Sequence, residues 1–273
     1  MGDICNKAFW GQRSFCLITG ASQGIGRNLA IDFGRRLGKD SILILLARSE
    51  PNLVETKSLV ENANDEISVQ IHPGDLSKPK PGQFKELIQN TLSVLKAKPE
   101  DFQLAMIVHN AGSLGDVQEE ASKITSMEKL EDYFSLNLFS VICLNSEFLS
   151  VFPEQSVSKR VVLNITSLCA VKPMKSLSYY CMGKACREMF FRVLAEENSS
   201  LTVLSYSPGP VNTGMITELI SHVKHQEVKD LFVSMKTTDS LVPVDKTTQR
   251  LINILEKGTF TSGSRVDYFD SNE

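Results

Sequence analysis

The sequence predicts an α/β fold in which a doubly wound parallel sheet of about seven strands is flanked by helices. Two observations carry this prediction: short aliphatic runs recur along the chain, and stretches with helical spacing of apolar residues lie between them. The length of 273 residues suits one α/β domain, and no internal repeat or low-complexity tract divides it. We therefore expect residues 1–273 to form a single domain.

The predicted strands, in chain order, cover Phe15–Thr19, Ile42–Ala47, Val69–His72, Leu104–Val108, Arg160–Ile165 and Leu201–Tyr206. The predicted helices cover Gly24–Leu37, Pro51–Ala63, Gln83–Leu95, Leu130–Phe152, Tyr179–Glu197 and Val244–Leu255. Gly38 ends the first helix and Pro51 begins the second, as is usual at helix termini. The stretch Met215–Pro243 has weak periodicity, so a mobile lid and a solvated helix pair are both open there.

A glycine-rich turn follows the first strand and opens the first helix, with the residues Gly20, Ala21, Ser22, Gln23, Gly24, Ile25 and Gly26. Glycines permit a tight turn and a close backbone approach to a pyrophosphate, and the helix N-terminus offers N–H groups and a positive dipole. The position between strand and helix predicts a dinucleotide site. An ordinary strand–helix turn is the alternative interpretation.

The second strand ends at Arg48 and Ser49, where an NAD enzyme usually has an acidic residue for the ribose 2'-hydroxyl. The Arg48 guanidinium can pair with a 2'-phosphate and Ser49 can donate a hydrogen bond to it, so NADP(H) is the predicted cofactor. A solvated arginine is the alternative. After the third strand, Asp75 could contact adenine or cap a helix. After the fourth, Asn110 in the turn His109–Gly112 could touch the cofactor.

Tyr180 and Lys184 stand four residues apart, which places both side chains on one face of the predicted helix. Because a nearby ammonium favours the phenolate, we expect Lys184 to lower the pKa of Tyr180 toward neutrality and make it a usable proton donor. An amphipathic helix with an exposed lysine is the alternative interpretation. Tyr179 is the rival donor, but residue 183 is glycine, so Tyr179 has no lysine four positions on.

Ser167 lies just after the fifth strand, at the edge where a parallel sheet faces its ligand crevice. Its hydroxyl can donate to a substrate carbonyl oxygen and stabilise the negative charge that develops as hydride reaches the carbon. Thr166 is the rival for this role. Asn137 places an amide within an apolar helix, where it needs a partner, and a water relay to Lys184 would provide one.

Together these motifs resemble the short-chain dehydrogenase/reductase superfamily over most of the chain: TGASQGIG at 19–26, HNAG at 109–112, Asn137, Ser167, YCMGK at 180–184 and Pro208-Gly209. More narrowly, the stretches 109–117, 165–173, 180–191, 206–215 and 262–270 resemble the branch that reduces side-chain carbonyls of pterins. The resemblance implies a Rossmann fold, NADPH-dependent carbonyl reduction in the last steps of tetrahydrobiopterin biosynthesis, and a cytosolic homodimer.

The resemblance also assigns ligand contacts to residues of this chain. Cofactor contacts fall on Gly20–Gly26, Arg48, Ser49, Asp75, Leu76, Lys184, Val211, Asn212, Thr213, Gly214, Met215 and Ile216. Substrate contacts fall on Ser167, Leu168, Tyr180, Gly209 and Asp267. Asp267 lies in a late predicted strand, where its carboxylate could accept two N–H groups from the edge of a pterin. A surface aspartate is the alternative interpretation.

Three positions depart from the family pattern. His109 stands where asparagine is usual, and Met174 and Leu177 stand where aromatic rings that stack on a flat pterin are expected. Methionine adapts to varied ligands, so a general NADPH-dependent reductase of vicinal dicarbonyls or quinones is the alternative function. A protein that binds nucleotide without doing chemistry is disfavoured by the intact Ser167, Tyr180 and Lys184.

Composition excludes several other classes of function. A net charge of -3 leaves no positive excess for nucleic acid or anionic lipid. Six cysteines, at 5, 16, 143, 169, 181 and 186, lack metal-ligand spacing, so we expect reduced thiols in the cytosol and no metal site. The longest aliphatic run, Ile42–Ala47, is far short of the roughly 20 residues that cross a bilayer. The first 15 residues carry no targeting signal, and no membrane partner is expected.

Overall fold

The computed structural model describes residues 9–271. Cys5 and the first eight residues of the stretch screened for a targeting signal lie outside the described residues. The described chain alternates strands and helices through most of its length, as the apolar periodicity predicts.

Seven strands form one sheet: β1 (Ser14–Thr19), β2 (Ile42–Ala47), β3 (Ser68–Pro73), β4 (Leu104–His109), β5 (Lys159–Ile165), β6 (Leu201–Ser207) and β7 (Arg265–Asp267). Their order across the sheet is β3-β2-β1-β4-β5-β6-β7, and every neighbouring pair is parallel. The predicted parallel sheet of about seven strands is confirmed. Because the chain runs outward from β1 to β3 and then returns beside β1, a ligand crevice opens at the carboxyl ends of β1 and β4.

Helices cover both faces of the sheet: α1 (Gly24–Gly34), α2 (Glu50–Ala63), α3 (Gln83–Val94), α4 (Met127–Phe134), α5 (Ser140–Val151), α6 (Ser178–Glu197), α7 (Gly214–His222), α8 (Gln226–Thr237) and α9 (Val244–Lys257). Successive side chains of β1 point to opposite faces of the sheet and pack in two separate cores. Ile18 packs in one core with Phe33 of α1, whereas Leu17 packs in the other with Phe148 of α5 and Phe191 of α6. Central strands are therefore apolar on both faces, as parallel sheets require.

The predicted helix Leu130–Phe152 is instead three consecutive segments. A π-helical stretch, Ser135–Phe139, joins α4 to α5 and holds Asn137 in its middle. Single π turns inside α-helices accommodate an extra residue and recur at functional sites. The combined stretch Met127–Val151 is long and apolar enough to cross a membrane by length and composition, but its apolar side includes Leu144 and Phe148, which are buried in the core.

The stretch Met215–Pro243 contains the helix pair α7 and α8, which matches the second of the two interpretations. Leu219 of α7 and Phe232 of α8 pack in a third apolar cluster together with Leu177 and Met174, which precede α6. The pair therefore packs against the segment that leads into α6, and the start of α7 lines the crevice.

Candidate active site

The phosphate loop between β1 and α1 requires glycine. Gly20 and Gly24 adopt φ values of +66° and +54°, in the left-handed region that L side chains rarely occupy. A Cβ on Gly20 would also stand 2.8 Å from the Asn110 amide nitrogen. The loop thus keeps its backbone open at the N-terminus of α1, where N–H groups and the helix dipole favour an anion.

A crevice of about 340 Å³ runs along this loop. Of the predicted cofactor residues, it is lined by Gly20, Ser22, Gln23, Gly24, Ile25, Arg48, Ser49, Leu76, Asn110, Thr213, Gly214 and Met215. Ala21 and Gly26 lie beneath the loop as part of its buried support, and Lys184, Val211, Asn212 and Ile216 lie next to the crevice without lining it. The structure therefore brings most of the predicted set to one surface.

Asn110 mainly braces the loop. Its amide nitrogen donates to the carbonyl oxygens of Thr19 (3.0 Å) and Gly20 (3.2 Å). In return the Thr19 hydroxyl oxygen accepts from the N–H groups of Asn110 and Ala111, each at 3.0 Å. The turn after β4 and the turn after β1 are therefore locked together at the crevice.

Asp75 does not line the crevice. It is exposed, and its carboxylate accepts from the N–H of Ser77 at 2.9 Å. That hydrogen bond is the main reason that the pKa of Asp75 lies below its ordinary value. Asp75 therefore caps the short turn after β3, and the helix-cap alternative does not hold because the next α-helix begins only at Gln83.

Tyr180 and Lys184 lie on the first turns of α6, on the side that faces the end of β5. Lys184 is buried, its Nζ donates to the carbonyl oxygen of Ile165 at 2.7 Å, and the same atom lies 5.4 Å from the centre of the Tyr180 ring. Burial, and then the charge of Arg187, hold the pKa of Lys184 well below its ordinary value. An ammonium with a lowered pKa beside a phenol suits proton transfer.

The pKa of Tyr180 differs from the expectation. Burial raises it to about 12, although the nearby Ser167 hydroxyl and the charge of Arg187 act in the lowering direction. The net lowering toward neutrality expected from Lys184 is therefore not found, because desolvation of the phenolate outweighs the nearby positive charge. The phenol is fully protonated at neutral pH, which is the form that donates a proton.

The two rival side chains are engaged elsewhere. The Tyr179 hydroxyl donates to the Glu119 carboxylate at 2.8 Å, and the Thr166 hydroxyl donates to Glu188 at 2.6 Å. The Ser167 hydroxyl oxygen instead accepts from the N–H of Cys169 at 3.2 Å, which leaves its proton available. Geometry thus favours Tyr180 over Tyr179 and Ser167 over Thr166.

Asn137 is buried, and both ends of its amide are paired. Its oxygen accepts from the Ser113 N–H at 2.9 Å, and its nitrogen donates to the Ser113 hydroxyl and to the Tyr133 carbonyl oxygen. The same oxygen and Lys184 Nζ lie 3.2 Å and 3.9 Å from the place where a Cβ on Gly112 would stand. Asn137 and Lys184 therefore approach one point of the crevice wall.

The predicted substrate contacts spread over three loops. Leu168 is exposed, Gly209 has a φ of +76°, and Asp267 ends β7. The Asp267 carboxylate accepts from Arg265 at 3.1 Å and from the N–H of Phe269 at 3.1 Å. The Asp267 side chain is 17% exposed and is held in a defined direction, so it is not a freely solvated surface aspartate.

Comparison with known proteins agrees with this geometry. The family model for short chain dehydrogenases matches residues 14–224. Sepiapterin reductase of Mus musculus is 35% identical over 257 residues, which cover 93% of this chain and 96% of that protein. The chain belongs to the short-chain dehydrogenase family. The resemblance seen in the sequence motifs is thereby confirmed, as is the prediction of an oxidoreductase.

Two further proteins extend the comparison. Benzil reductase of Bacillus subtilis is 28% identical, with coverage of 89% of this chain and 93% of that one. A short chain dehydrogenase of Shigella flexneri, solved in complex with NADP, has a TM-score of 0.76 at 20% identity, with coverage of 97% and 100%. This last similarity confirms the fold.

Sequence reasoning missed several residues that the short-chain dehydrogenase fold brings to the site. Thr19 braces the turn after β4, Asn52 lines the crevice beside Ser49, and Arg187 lies buried one turn after Lys184. Arg187 alone carried a signal: it follows Lys184 by three residues, and this spacing places a second cation near the same helix face.

Proposed function

We propose that this chain is an NADPH-dependent carbonyl reductase that reduces side-chain carbonyls of pterins, in the last steps of tetrahydrobiopterin biosynthesis. The observation that carries the proposal is the convergence of Lys184, Tyr180 and Ser167 beside the glycine-lined crevice. The long coverage by proteins named sepiapterin reductase supports the substrate class.

The residues present fit a bound NADP(H). Gly20 has no room for a Cβ, both Gly20 and Gly24 have a left-handed φ that favours glycine, and α1 directs its N-terminus toward this turn, where a pyrophosphate would bind. Arg48 is exposed in the crevice next to Ser49, with no acidic residue at either position, which suits a 2'-phosphate. When bound, NADPH supplies hydride to the carbonyl carbon.

The chain's own residues would then manage charge and protons. The Ser167 hydroxyl donates a hydrogen bond to the carbonyl oxygen as negative charge builds there. The Tyr180 hydroxyl donates its proton to that oxygen, which completes the alcohol. Lys184 holds its ammonium against the Tyr180 ring and Ile165, and Asn137 sits where a water molecule could link Lys184 to solvent.

The substrate end of the crevice supports pterin recognition. Gly209 has a left-handed φ of +76°, and a Cβ there would stand 3.1 Å from Val242 and 3.2 Å from Phe269, so only glycine suits this turn before the substrate loop. Asp267 offers a carboxylate to the N–H groups at a pterin edge, in a direction fixed by Arg265. Leu168 extends from the loop after Ser167 and could cover one face of the ring.

A second candidate function is the reduction of other vicinal dicarbonyls. Met174 and Leu177, rather than aromatic rings, form the apolar wall near α7 and α8. Flexible aliphatic side chains recognise a flat ring less selectively than aromatic ones do. Similarity to benzil reductases, whose name denotes a vicinal diketone substrate, favours the same alternative.

The proposal includes a single-domain protein that works as a cytosolic homodimer. All seven strands belong to one sheet, which supports one domain. The described cysteines are free, as expected in a reducing compartment. Exposed apolar side chains on two adjacent helical segments, Phe139 next to α5 and Met182, Met189 and Val193 on α6, offer a surface that a second copy could cover.

Asp267→Asn tests the substrate class. The substitution keeps the shape but removes the charge, so kcat/KM for sepiapterin should fall by roughly 10- to 100-fold, the worth of a charged hydrogen bond. Reduction of a simple vicinal diketone should be unaffected. Asp65→Asn, at an exposed position just before β3, serves as the matched control. Equal losses on both substrates would remove Asp267 from pterin binding, and a wild type that reduces only the diketone would establish the second candidate.

A further inference from the structure

Arg187 is one of the largest completely buried side chains among residues 9–271. A buried guanidinium is usually paired with a carboxylate, because removing its charge from water is costly. Its hydrogen bonds in the described structure go instead to Asn164 Oδ1 (3.0 Å), the Ala111 carbonyl (3.0 Å) and the His109 carbonyl. All three acceptors are uncharged, so the positive charge is kept inside the protein without neutralisation by a hydrogen-bonded anion.

The acceptors show what Arg187 connects. His109 ends β4, Ala111 lies in the crevice wall, and Asn164 is the last residue but one of β5, just before the loop that carries Ser167. Arg187 Nη1 and Lys184 Nζ lie 3.8 Å and 3.9 Å from the place where a Cβ on Gly112 would stand. Arg187 therefore ties α6 to two strand ends and brings a second cation to the proton-transfer centre.

The ionisable groups around Arg187 define its electrostatic role. On α6 these are Tyr180 and Lys184, with Glu188 near Lys184; Tyr133 faces it from α4, and His109 from the end of β4. Tyr180 also faces the thiols of Cys169 and Cys181. Burial keeps His109 neutral, and the Glu188 carboxylate is engaged by Thr166 and Arg265.

The charge of Arg187 lowers the pKa of Tyr180 and also that of Lys184. Arg187 thus adds a positive potential beside Lys184, whose own pKa is lowered by burial.

We infer that Arg187 is a positioning residue for the carbonyl reduction proposed above, on which this inference rests: its fixed positive charge stabilises the Tyr180 phenolate, and its guanidinium fixes the crevice wall at Ala111. In the reaction, the carbonyl carbon gains hydride from NADPH and the carbonyl oxygen gains the Tyr180 proton. The phenolate left behind takes a proton from solvent. Arg187 acts at the stage when that phenolate is negative.

Arg187→Met and Arg187→Lys separate charge from packing. In the reverse reaction, alcohol oxidation with NADP⁺, Tyr180 must be a phenolate, so the rate rises with pH. Without the charge, Arg187→Met should shift that rise upward by about one pH unit, which is about a tenfold slower rate at a fixed pH on the rising limb. Arg187→Lys should keep the wild-type position of the rise even if the maximal rate falls. Arg192→Met, an exposed position on α6, is the matched control.

A wild-type pH profile in Arg187→Met would overturn the inference, whatever the loss of thermal stability, because a purely structural residue changes stability and not the titration. Should Arg187→Met not fold, Arg187→Gln takes its place, since it removes the charge but keeps hydrogen-bond donors.

A second measurement needs no turnover: the pH titration of tyrosinate absorbance, from which the signal of the Tyr180→Phe variant is subtracted, gives the titration of Tyr180 alone. An inactive wild type would sink the proposed function, whereas an unshifted Tyr180 titration in Arg187→Met would sink this inference alone.

Discussion

Around the phosphate loop the crevice presents backbone atoms and small side chains, whereas around Tyr180 it is backed by buried ionisable groups. The first region depends on glycine conformations at Gly20 and Gly24. The second contains Lys184 and Arg187, two cations held out of water within one turn of α6. Nucleotide binding therefore depends on the room left by the glycine backbone, whereas proton transfer depends on buried charges. Added volume should affect the first region, and loss of a charge or a donor should affect the second.

The largest effect is expected at the proton-transfer end. Tyr180→Phe removes the donor O–H and adds no volume, so kcat should fall by about 10²- to 10⁴-fold while NADPH affinity stays nearly unchanged. NADPH oxidation and a fluorescence titration of NADPH binding measure the two quantities. Tyr179→Phe, whose hydroxyl bonds to Glu119, is the control and should stay active. Substantial activity in Tyr180→Phe would place the proton donor elsewhere.

An intermediate effect is expected from added volume at the nucleotide end. A Cβ on Gly26 would overlap the Gly20 carbonyl oxygen and stand 2.5 Å from the Asn110 amide nitrogen. Gly26→Ala should therefore cost about 1–3 kcal/mol of folding free energy and weaken NADPH binding. Gly74→Ala provides the control, because it lines the same crevice but would meet no atom within 4 Å. Urea unfolding that gave equal stabilities for both variants would contradict the predicted overlap.

The smallest effect is expected for protein stability at acidic pH, through the buried imidazole of His109 at the end of β4. Burial, and then the charge of Arg187, lower the pKa of His109 from 6.5 to about 3. Below pH 6.5 His109 is protonated in the unfolded chain but stays neutral in the folded chain. The free energy of unfolding therefore decreases as the pH falls from 6.5 toward 3. Between pH 7.5 and 5.5 the loss should be about 1 kcal/mol for this residue.

His109→Asn should remove that part of the pH dependence in urea unfolding at the two pH values. His222→Asn, at an exposed position, should leave it in place. A wild-type loss of stability in His109→Asn would show that other groups account for the acid sensitivity.

The sequence was sufficient for the sheet and the phosphate loop, because their signals are local. The central strands β1, β2 and β4 are apolar runs, and the glycines of the loop stand between a strand and a helix. The choice of Tyr180 over Tyr179 also followed from spacing to Lys184. Chain order and periodicity are enough where neighbours in sequence decide the structure.

Other features depended on contacts between distant residues. From local sequence alone, an arginine at position 187 is expected on the solvent side of its helix. Its burial depends on acceptors at the ends of β4 and β5, which are distant in sequence. The π turn at Asn137 and the pairing of Asp267 with Arg265 likewise depend on packing that no local pattern encodes. The pKa of Tyr180 was misjudged for the same reason, since desolvation is set by the whole fold.

The short strand β7 gives the site an order of assembly during protein synthesis. It joins β6 through pairs such as Ser205 with Arg265, and it contributes Asp267 long after the phosphate loop has left the ribosome. During synthesis, all segments of the nucleotide cradle are therefore complete before Asp267, the carboxylate proposed to select the substrate, is added. Premature termination between α9 and β7 would therefore yield a chain that retains the cradle sequence but has lost its means of choosing what to reduce.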